Sequence, residues 1–340
     1  MTMWMVRAER GGVLFDDFMT NGHVTIAGTN DFGMTTSKAD IQRLIAEFEP
    51  NLEDRSVLHA SSVVHRFAHQ MKTGDQVVTY DPSSRVYAVG TVSGPYRHDA
   101  VREETIPGKP HGNIRPVRWE GEVMRDTLSP TAKSALGSIH TIYVVRAEAA
   151  EELRRSIRGD APRTEQSAAP EPATSTDADE GDGIPSAAAL EEQAMTGIAD
   201  LVTSISPDDM EEFVAGLLRA LGYHARVSPK GPDRGRDILA TPDPLGLEDP
   251  RIHVEVKHRA GKASPGMIRS FLGGRGPGDR GIFVSTGGFT REARYEADRA
   301  SIPVQLLDIE DLVRLLIENY AKLKPEIARM VPLRRIWWPH

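Results

Sequence analysis

Residues 231–259 read GPDRGRDILATPDPLGLEDPRIHVEVKHR. Ile252, Val254 and Val256 alternate with polar neighbours, the period of a β-strand that buries one face. Glu255 and Lys257 therefore project together from the other face, a carboxylate and an amine fixed side by side. Asp237 opens the preceding strand, RDILAT, and a hairpin-like return through PDPLGLEDP brings its carboxylate beside Glu255. Two carboxylates at one strand end can hold a hard divalent cation, and an adjacent lysine can orient or deprotonate an attacking water. Phosphodiester hydrolysis calls for this set: a metal to neutralise transition-state charge, a positioned water, and a nearby cation. A Glu-x-Lys by itself far more often describes a surface ion pair, so its surroundings decide.

Those surroundings alternate. Upstream, Ser206-Pro207-Asp208-Asp209 is a helix start: a capping serine, proline at the first helical position and a carboxylate three residues after the cap. Met210, Phe213, Val214, Leu217, Leu218 and Leu221 follow at helical spacing until Gly222 ends the run. Downstream come a helix from Pro265, a strand RGIFVST, a helix from Thr290, a strand PVQLLD and a helix from Leu312 to Tyr320. This order predicts an α/β domain over 196–330, a central mixed sheet flanked by helices.

From Gly159 to Ala189 the chain is dominated by Ala, Pro, Ser, Thr, Asp and Glu. With so little to bury it cannot offset the entropy of ordering, which predicts a flexible acidic linker over 151–195. Ahead of it, over 1–150, short apolar runs near Trp4, Val24, Val77, Val89, Val117 and Val144 read as strands. Two helical patterns interrupt them: a stripe of Ile41, Leu44, Ile45 and Phe48, and a run from Val57 to about Met71. A small α+β mixed barrel is the expected fold. No internal repeat is visible.

At 340 residues the chain suits two domains and a tether. It has no cysteine, which excludes a disulfide scaffold and a cysteine-ligated zinc finger. The start lacks a secretory signal and no run reaches the roughly 20 apolar residues of a membrane helix, so the cytoplasm is expected. A net charge of −8 runs against phosphate contact, but acidic residues crowd 160–192 whereas 226–299 is rich in Arg and Lys.

The succession MEEF and LLRALGY, GPDRGRDI, HVEVK and GIFVSTGGFTREA resembles the catalytic domain of Mrr-like restriction endonucleases, in the PD-(D/E)xK superfamily, over roughly Pro207–Leu316. The resemblance implies a restriction-endonuclease-like fold. It implies Asp237 and Glu255 as metal-binding carboxylates, Lys257 as the catalytic lysine and Glu211 as a supporting acid, with Mg2+ or Mn2+ as cofactor. The family commonly carries Gln where Glu255 stands and Phe-Glu where Met210-Glu211 stands; the first change restores the general superfamily acid. Asp233 is either a third acid or part of a Pro-Asp-x-Gly turn. Gly287-Gly288-Phe289-Thr290 reads as a phosphate-binding helix start or an ordinary capped turn. His258 points away from Lys257's face and is read as structural or exposed.

The stretches GDQVVTYDPSSRVYAVGTVSGPYRHD, IRPVRWEGEVMRDTLS and LGSIHTIYVV are similar to EVE/PUA-like modules found ahead of such nuclease domains. That resemblance implies a pocket for a flipped, modified base. Stacking planes are Trp4, Tyr80, Tyr96 and Trp119, with Asp81, Arg115 and Arg118 as polar groups; each aromatic alone also suits a barrel core. The chain has Ala27-Gly28-Thr29 where related modules carry Ile-Gly-Trp. His65 and His69 lie four apart, but HRFAH lacks the metalloprotease glutamate and is not read as a metal site. The tail 331–340, with Ile336, Trp337 and Trp338, is expected to dock on its own domain or a second subunit.

Together these readings imply a modification-dependent, type IV-like restriction endonuclease acting on double-stranded DNA. A homodimer is expected, since cutting both strands takes two sites. The alternatives are a nuclease whose N-terminal domain senses a nucleotide signal or RNA, and a catalytically inactive DNA-binding protein.

Overall fold

The computed structural model describes residues 1–28, 30–34, 37–99, 110–138, 140–159, 187–228, 237–259, 261–273, 275–276 and 278–336. The chain divides into two compact units, 1–81 with 86–193, and 194–340 with 82–85.

In the first unit the elements run β1 (Met3–Val6), α1 (Phe15–Asn21), β2 (His23–Ile26), α2 (Lys38–Phe48), α3 (Asp54–His65), β3 (Gln76–Asp81), β4 (Val86–Val92), β5 (Arg97–His98), β6 (Asn113–Met124), α4 (Pro130–Leu136), β7 (Ile142–Val144) and α5 (Ala147–Arg158). The sheet order is β2-β6-β4-β3-β1-β7, with β5 also on β6. All four residues of β1 are buried. A strand apolar on both faces must be covered on both, and it is. Trp4, Val6, Val77 and Ala88 pack under Phe18 of α1, Ile41 and Ile45 of α2, and Val57 and Val64 of α3. Met3, Met5, Val78 and Val89 pack under Leu136 of α4 and Leu153 of α5. The expected closed barrel is not confirmed. Among the described residues the sheet is open, its outer strands β2 and β7 unpaired with each other, because helices rather than strand closure bury the apolar faces.

β6 is the long member, and a bulge changes its facing. Trp119 pairs with Gly90 and Gly121 with Val89, leaving Glu120 as the extra residue. Val117 and Trp119 consequently belong to the first core and Val123 to the second. Gly90 accommodates this bend, since a Cβ there would lie 2.6 Å from the Arg118 carbonyl oxygen. The helical run read as 57–71 is α3 followed by a π-helical segment, Arg66–Gln70.

The second unit contains α7 (Pro207–Ala220), β8 (His224–Val227), β9 (Ile238–Thr241), β10 (Arg251–Lys257), α8 (Pro265–Leu272), β11 (Asp279–Ser285), α9 (Arg291–Asp298), β12 (Val304–Leu307), α10 (Ile309–Asn319) and α11 (Pro325–Ala328), preceded by α6 (Ala187–Thr203). Its mixed sheet runs β12-β11-β10-β9-β8, with β10, β11 and β12 parallel and β8, β9 and β10 antiparallel. This is the α/β architecture the alternation predicts, plus one strand, β8, that the sequence reading did not resolve. Ser206 caps α7 by accepting the Asp209 N–H at 3.2 Å, and the chain leaves the helix through Gly222 at φ 100°.

Both sheet faces are again covered. Ile252, Val254 and Val256 pack with Phe213, Val214 and Leu217 of α7 and with Leu312 and Leu316 of α10. On the opposite face Phe283 meets Ile268 and Phe271 of α8 and Ala293 of α9. Helices α5 and α6 occupy the two ends of the range read as linker; its centre, 160–186, lies outside the described residues, as do Asp233, Thr29, Trp337 and Trp338. In the tail, Val331 is buried and Ile336 exposed.

Candidate active site

The β9–β10 register decides which side chains meet. Ile238 pairs with Val254, so one further step places Asp237 opposite Glu255. The Asp237 N–H donates to the Val254 carbonyl at 3.0 Å, and the Asp237 carboxylate accepts the Val256 N–H at 2.6 Å. Lys257 lies two residues beyond Glu255 on the same face, its ammonium 2.7 Å from Glu255 Oε1. The structure thus brings together the aspartate, glutamate and lysine singled out by the sequence.

Glu255 is only 8% exposed. Burial pushes its carboxyl above the ordinary range, the Lys257 ammonium draws it down, and the Asp237 charge pushes it up again; the net shift is upward. Two carboxylates held together with little water and one ammonium suit a hard divalent cation in chemistry and charge. Asp237 and Glu255 are the residues that would hold it. Among the described residues no three His, Asp or Glu converge as a metal cage. Glu211 lies half-buried in α7, whose core residues cover the opposite sheet face, and does not complete such a set.

The site lies at a boundary of the sheet. Towards β11 its face is covered by α8 and α9, whereas towards β9 the described residues leave Leu239, opposite His253, 38% exposed. Arg275 is a neighbour the sequence did not single out. Its charge lowers the Glu255 carboxyl, and its guanidinium lies 4.1 Å above the Phe271 ring. It arrives from the segment after α8, so nothing in the local pattern ties it to β10. Ser285 was likewise unmarked, yet it pairs with Lys257 across β10 and β11. The turn 287–290 ends in Thr290 as an ordinary N-cap, accepting the Ala293 N–H at 3.1 Å.

In the first unit the four aromatics separate. Trp4, Tyr96 and Trp119 belong to one core, whereas Tyr80 lies on the opposite sheet face, its ring 4.5 Å from that of Tyr87. Alternation causes the split: Trp4 pairs with Val77, three residues before Tyr80 and hence on the other parity. Four stacking planes in one pocket are therefore not formed. Trp4 is buried and its indole N–H donates to Asp75 at 3.2 Å; that of Trp119 donates to the Phe18 carbonyl at 2.8 Å. The Tyr96 hydroxyl donates to Asn113 at 2.6 Å and accepts the Phe32 N–H at 3.1 Å. Burial pushes its pKa up to about 12. Arg115 is buried too, donating to the carbonyls of Phe67, Ala68 and Met71. His69 Nε2–H donates to the Phe32 carbonyl at 3.0 Å.

Comparison with known families follows the same division. Residues 202–316 match the family Mrr_cat, described as restriction endonuclease, and include all four candidate nuclease residues. This segment is similar to Mrr-type restriction endonuclease domains. Residues 4–146 match a domain of unknown function, DUF8426; the EVE/PUA-like assignment is not recovered. The type IV methyl-directed restriction enzyme EcoKMrr of Escherichia coli (strain K12) is 31% identical over 144 residues, 40% of this chain and 46% of that protein. The chain thus aligns with less than half the length of this relative. Two solved structures are similar at 14% identity and a TM-score of 0.33: the MspJI restriction endonuclease in complex with a 27-mer oligonucleotide, covering 92% of this chain and 74% of that one, and the DNA modification-dependent restriction endonuclease AspBHI, covering 91% and 79%. A likeness at that level carries no weight here. No helix among the described residues is long and apolar enough to cross a membrane.

Proposed function

We propose that this chain is a modification-dependent endonuclease: the Mrr_cat domain hydrolyses DNA phosphodiesters with Mg2+ or Mn2+, and the N-terminal unit reads an altered base. The observation that supports the hydrolytic part is the meeting of Asp237, Glu255 and Lys257 at one end of β9 and β10 within the matched segment. Asp237 and Glu255 would hold the cation, which when bound neutralises phosphate charge and makes water a stronger acid. Lys257, held against Glu255, orients the attacking water and carries positive charge to the developing anion. The exposed side of the site, along β9, is the approach for the duplex.

The base-reading part draws on the methyl-directed relative. With Tyr80 on the other face, half-buried Tyr96 and Trp119 are the stacking planes proposed for it, Trp4 backing them from the core. The acting species is proposed to be a homodimer on DNA, one active site per strand.

Supercoiled plasmid carrying modified bases, incubated with Mg2+, tests the chemistry. The wild type is expected to nick and linearise it, and Asp237→Ala and Lys257→Ala are not. Equal behaviour of the three would leave a DNA-binding protein without hydrolytic activity. Binding of the full chain, in EDTA, to oligonucleotides with and without modified cytosine or adenine tests the reader. No preference would turn the N-terminal unit into a sensor of RNA or of a nucleotide signal.

A further inference from the structure

Lys257 is the last residue of β10 and is registered on β11, opposite Ser285, beyond the residues that β9 pairs. Chain ends of this kind fray, whereas a hydrolytic lysine must be held within about 0.5 Å of its working position. The residue that follows supplies the missing restraint. His258 is half-buried, and its ring is engaged on both nitrogens. Nε2 lies 2.8 Å from the carbonyl oxygen of Ile205. A carbonyl can only accept, so Nε2 carries the proton and donates. Nδ1 lies within hydrogen-bond distance of Thr286 Oγ1, at 3.2 Å. Thr286 donates its backbone N–H to the Lys257 carbonyl at 3.1 Å.

Three segments far apart in sequence are thereby tied at one imidazole. Ile205 immediately precedes Ser206, the N-cap of α7; His258 continues β10; Thr286 continues β11. Because side chains alternate along the strand, the ring projects to the face opposite Lys257. Fixing it fixes the backbone from which Lys257 departs without placing the ring in the reacting space.

We infer that His258 is a positioning residue for Lys257, locking the end of β10 to the start of α7 and to β11. This inference rests on the nuclease reading above. Outer partners of active-site groups act in this way, and their loss costs roughly 10–100-fold in activity. Glutamine offers an amide N–H near the position of Nε2 and can restore the bond to Ile205; alanine cannot.

The test uses full-length wild type, His258→Ala, His258→Gln and Thr286→Val with modified plasmid and Mg2+, measuring kcat and KM together with amide hydrogen exchange in the segments 204–210 and 256–259. His258→Ala is expected to lose roughly 10–100-fold in kcat with little change in KM. Its exchange should rise in both segments, His258→Gln should recover most of both properties, and Thr286→Val should fall between. Wild-type kcat in His258→Ala, or a loss confined to KM, would overturn the inference. If the wild type itself does not cut, the nuclease reading fails, and exchange alone decides the lock: rates rising in both segments in His258→Ala and recovering in His258→Gln uphold it, whereas unchanged rates remove it.

Discussion

Replacing Glu255 by glutamine should make the protein more stable in the absence of divalent metal and weaken, without abolishing, cleavage. The carboxylate is nearly stripped of water. One ammonium, Lys257, stands at 2.7 Å and is itself 32% exposed, so it offsets only part of that loss, and Asp237 adds like-charge repulsion. The folded-state pKa is raised, which means that folding prefers the protonated acid. At neutral pH the ionised form therefore costs stability, on the order of 1 kcal/mol for a site so incompletely compensated. Glutamine keeps the size and an oxygen for Lys257 but carries no charge. For a unit of roughly 150 residues, ~1 kcal/mol corresponds to about 2–4 °C in melting temperature.

The sign is opposite to that of an ordinary salt-bridged acid. Stability contributed through a raised pKa is present at low pH and lost as pH rises through the folded value. The advantage of Glu255→Gln should thus be largest near pH 8 and should shrink as pH falls to about 5. Added Mg2+ should reverse the order, because an ion held more tightly by the folded wild-type site than by the variant stabilises wild type by mass action. Cleavage should weaken rather than vanish, because Asp237 is unchanged, an amide oxygen can still face the cation, and Mrr-like domains commonly carry glutamine at this position. Calorimetric melts in EDTA and in Mg2+ at several pH values, beside plasmid assays, make the check. A variant that melts lower than wild type in EDTA at pH 8 would refute the reasoning.

Three further perturbations probe the framework. Gly216 lies inside α7, where a Cβ would come within 2.6 Å of Ile327; overpacking by about 1–3 kcal/mol should outweigh the ~1 kcal/mol gain in helix propensity, so Gly216→Ala should lower the denaturation midpoint. Arg115→Met should cost about 3–5 kcal/mol by leaving the Phe67, Ala68 and Met71 carbonyls without their buried donor, and a loss below ~1 kcal/mol in urea titration would contradict that role. Burial pushes the Asp75 carboxyl up, but the N–H groups of Thr2 and Lys72 and the Trp4 indole more than offset this and leave its pKa lowered. Its contribution is therefore present above the unfolded pKa and lost as pH falls through the folded one, so wild type and Asp75→Asn should converge in stability in acid, as melts below about pH 4 would reveal.

The residues proposed to carry hydrolysis were legible because their message is local. An alternation of period two tells which side chains share a face, and Glu255, Lys257 and the apolar trio opposite them follow it. A serine, a proline and a carboxylate in four positions specify the start of α7, since they answer the unsatisfied amides of that helix alone. Composition likewise indicates where little can be buried. What no local rule supplies is the destination of a face. β1 is apolar on both sides, and only assembled helices reveal that it lies inside an open, doubly covered sheet rather than in the wall of a barrel. One extra residue at Glu120 reverses the facing of all that follows on β6, and the parity of Tyr80 separates it from Trp4. Arg275 beside Glu255, and His258 between Ile205 and Thr286, depend on segments distant in sequence. Periodicity along the chain encodes which side of an element is apolar; pairing register and packing between elements, which involve many residues at once, decide what that side meets.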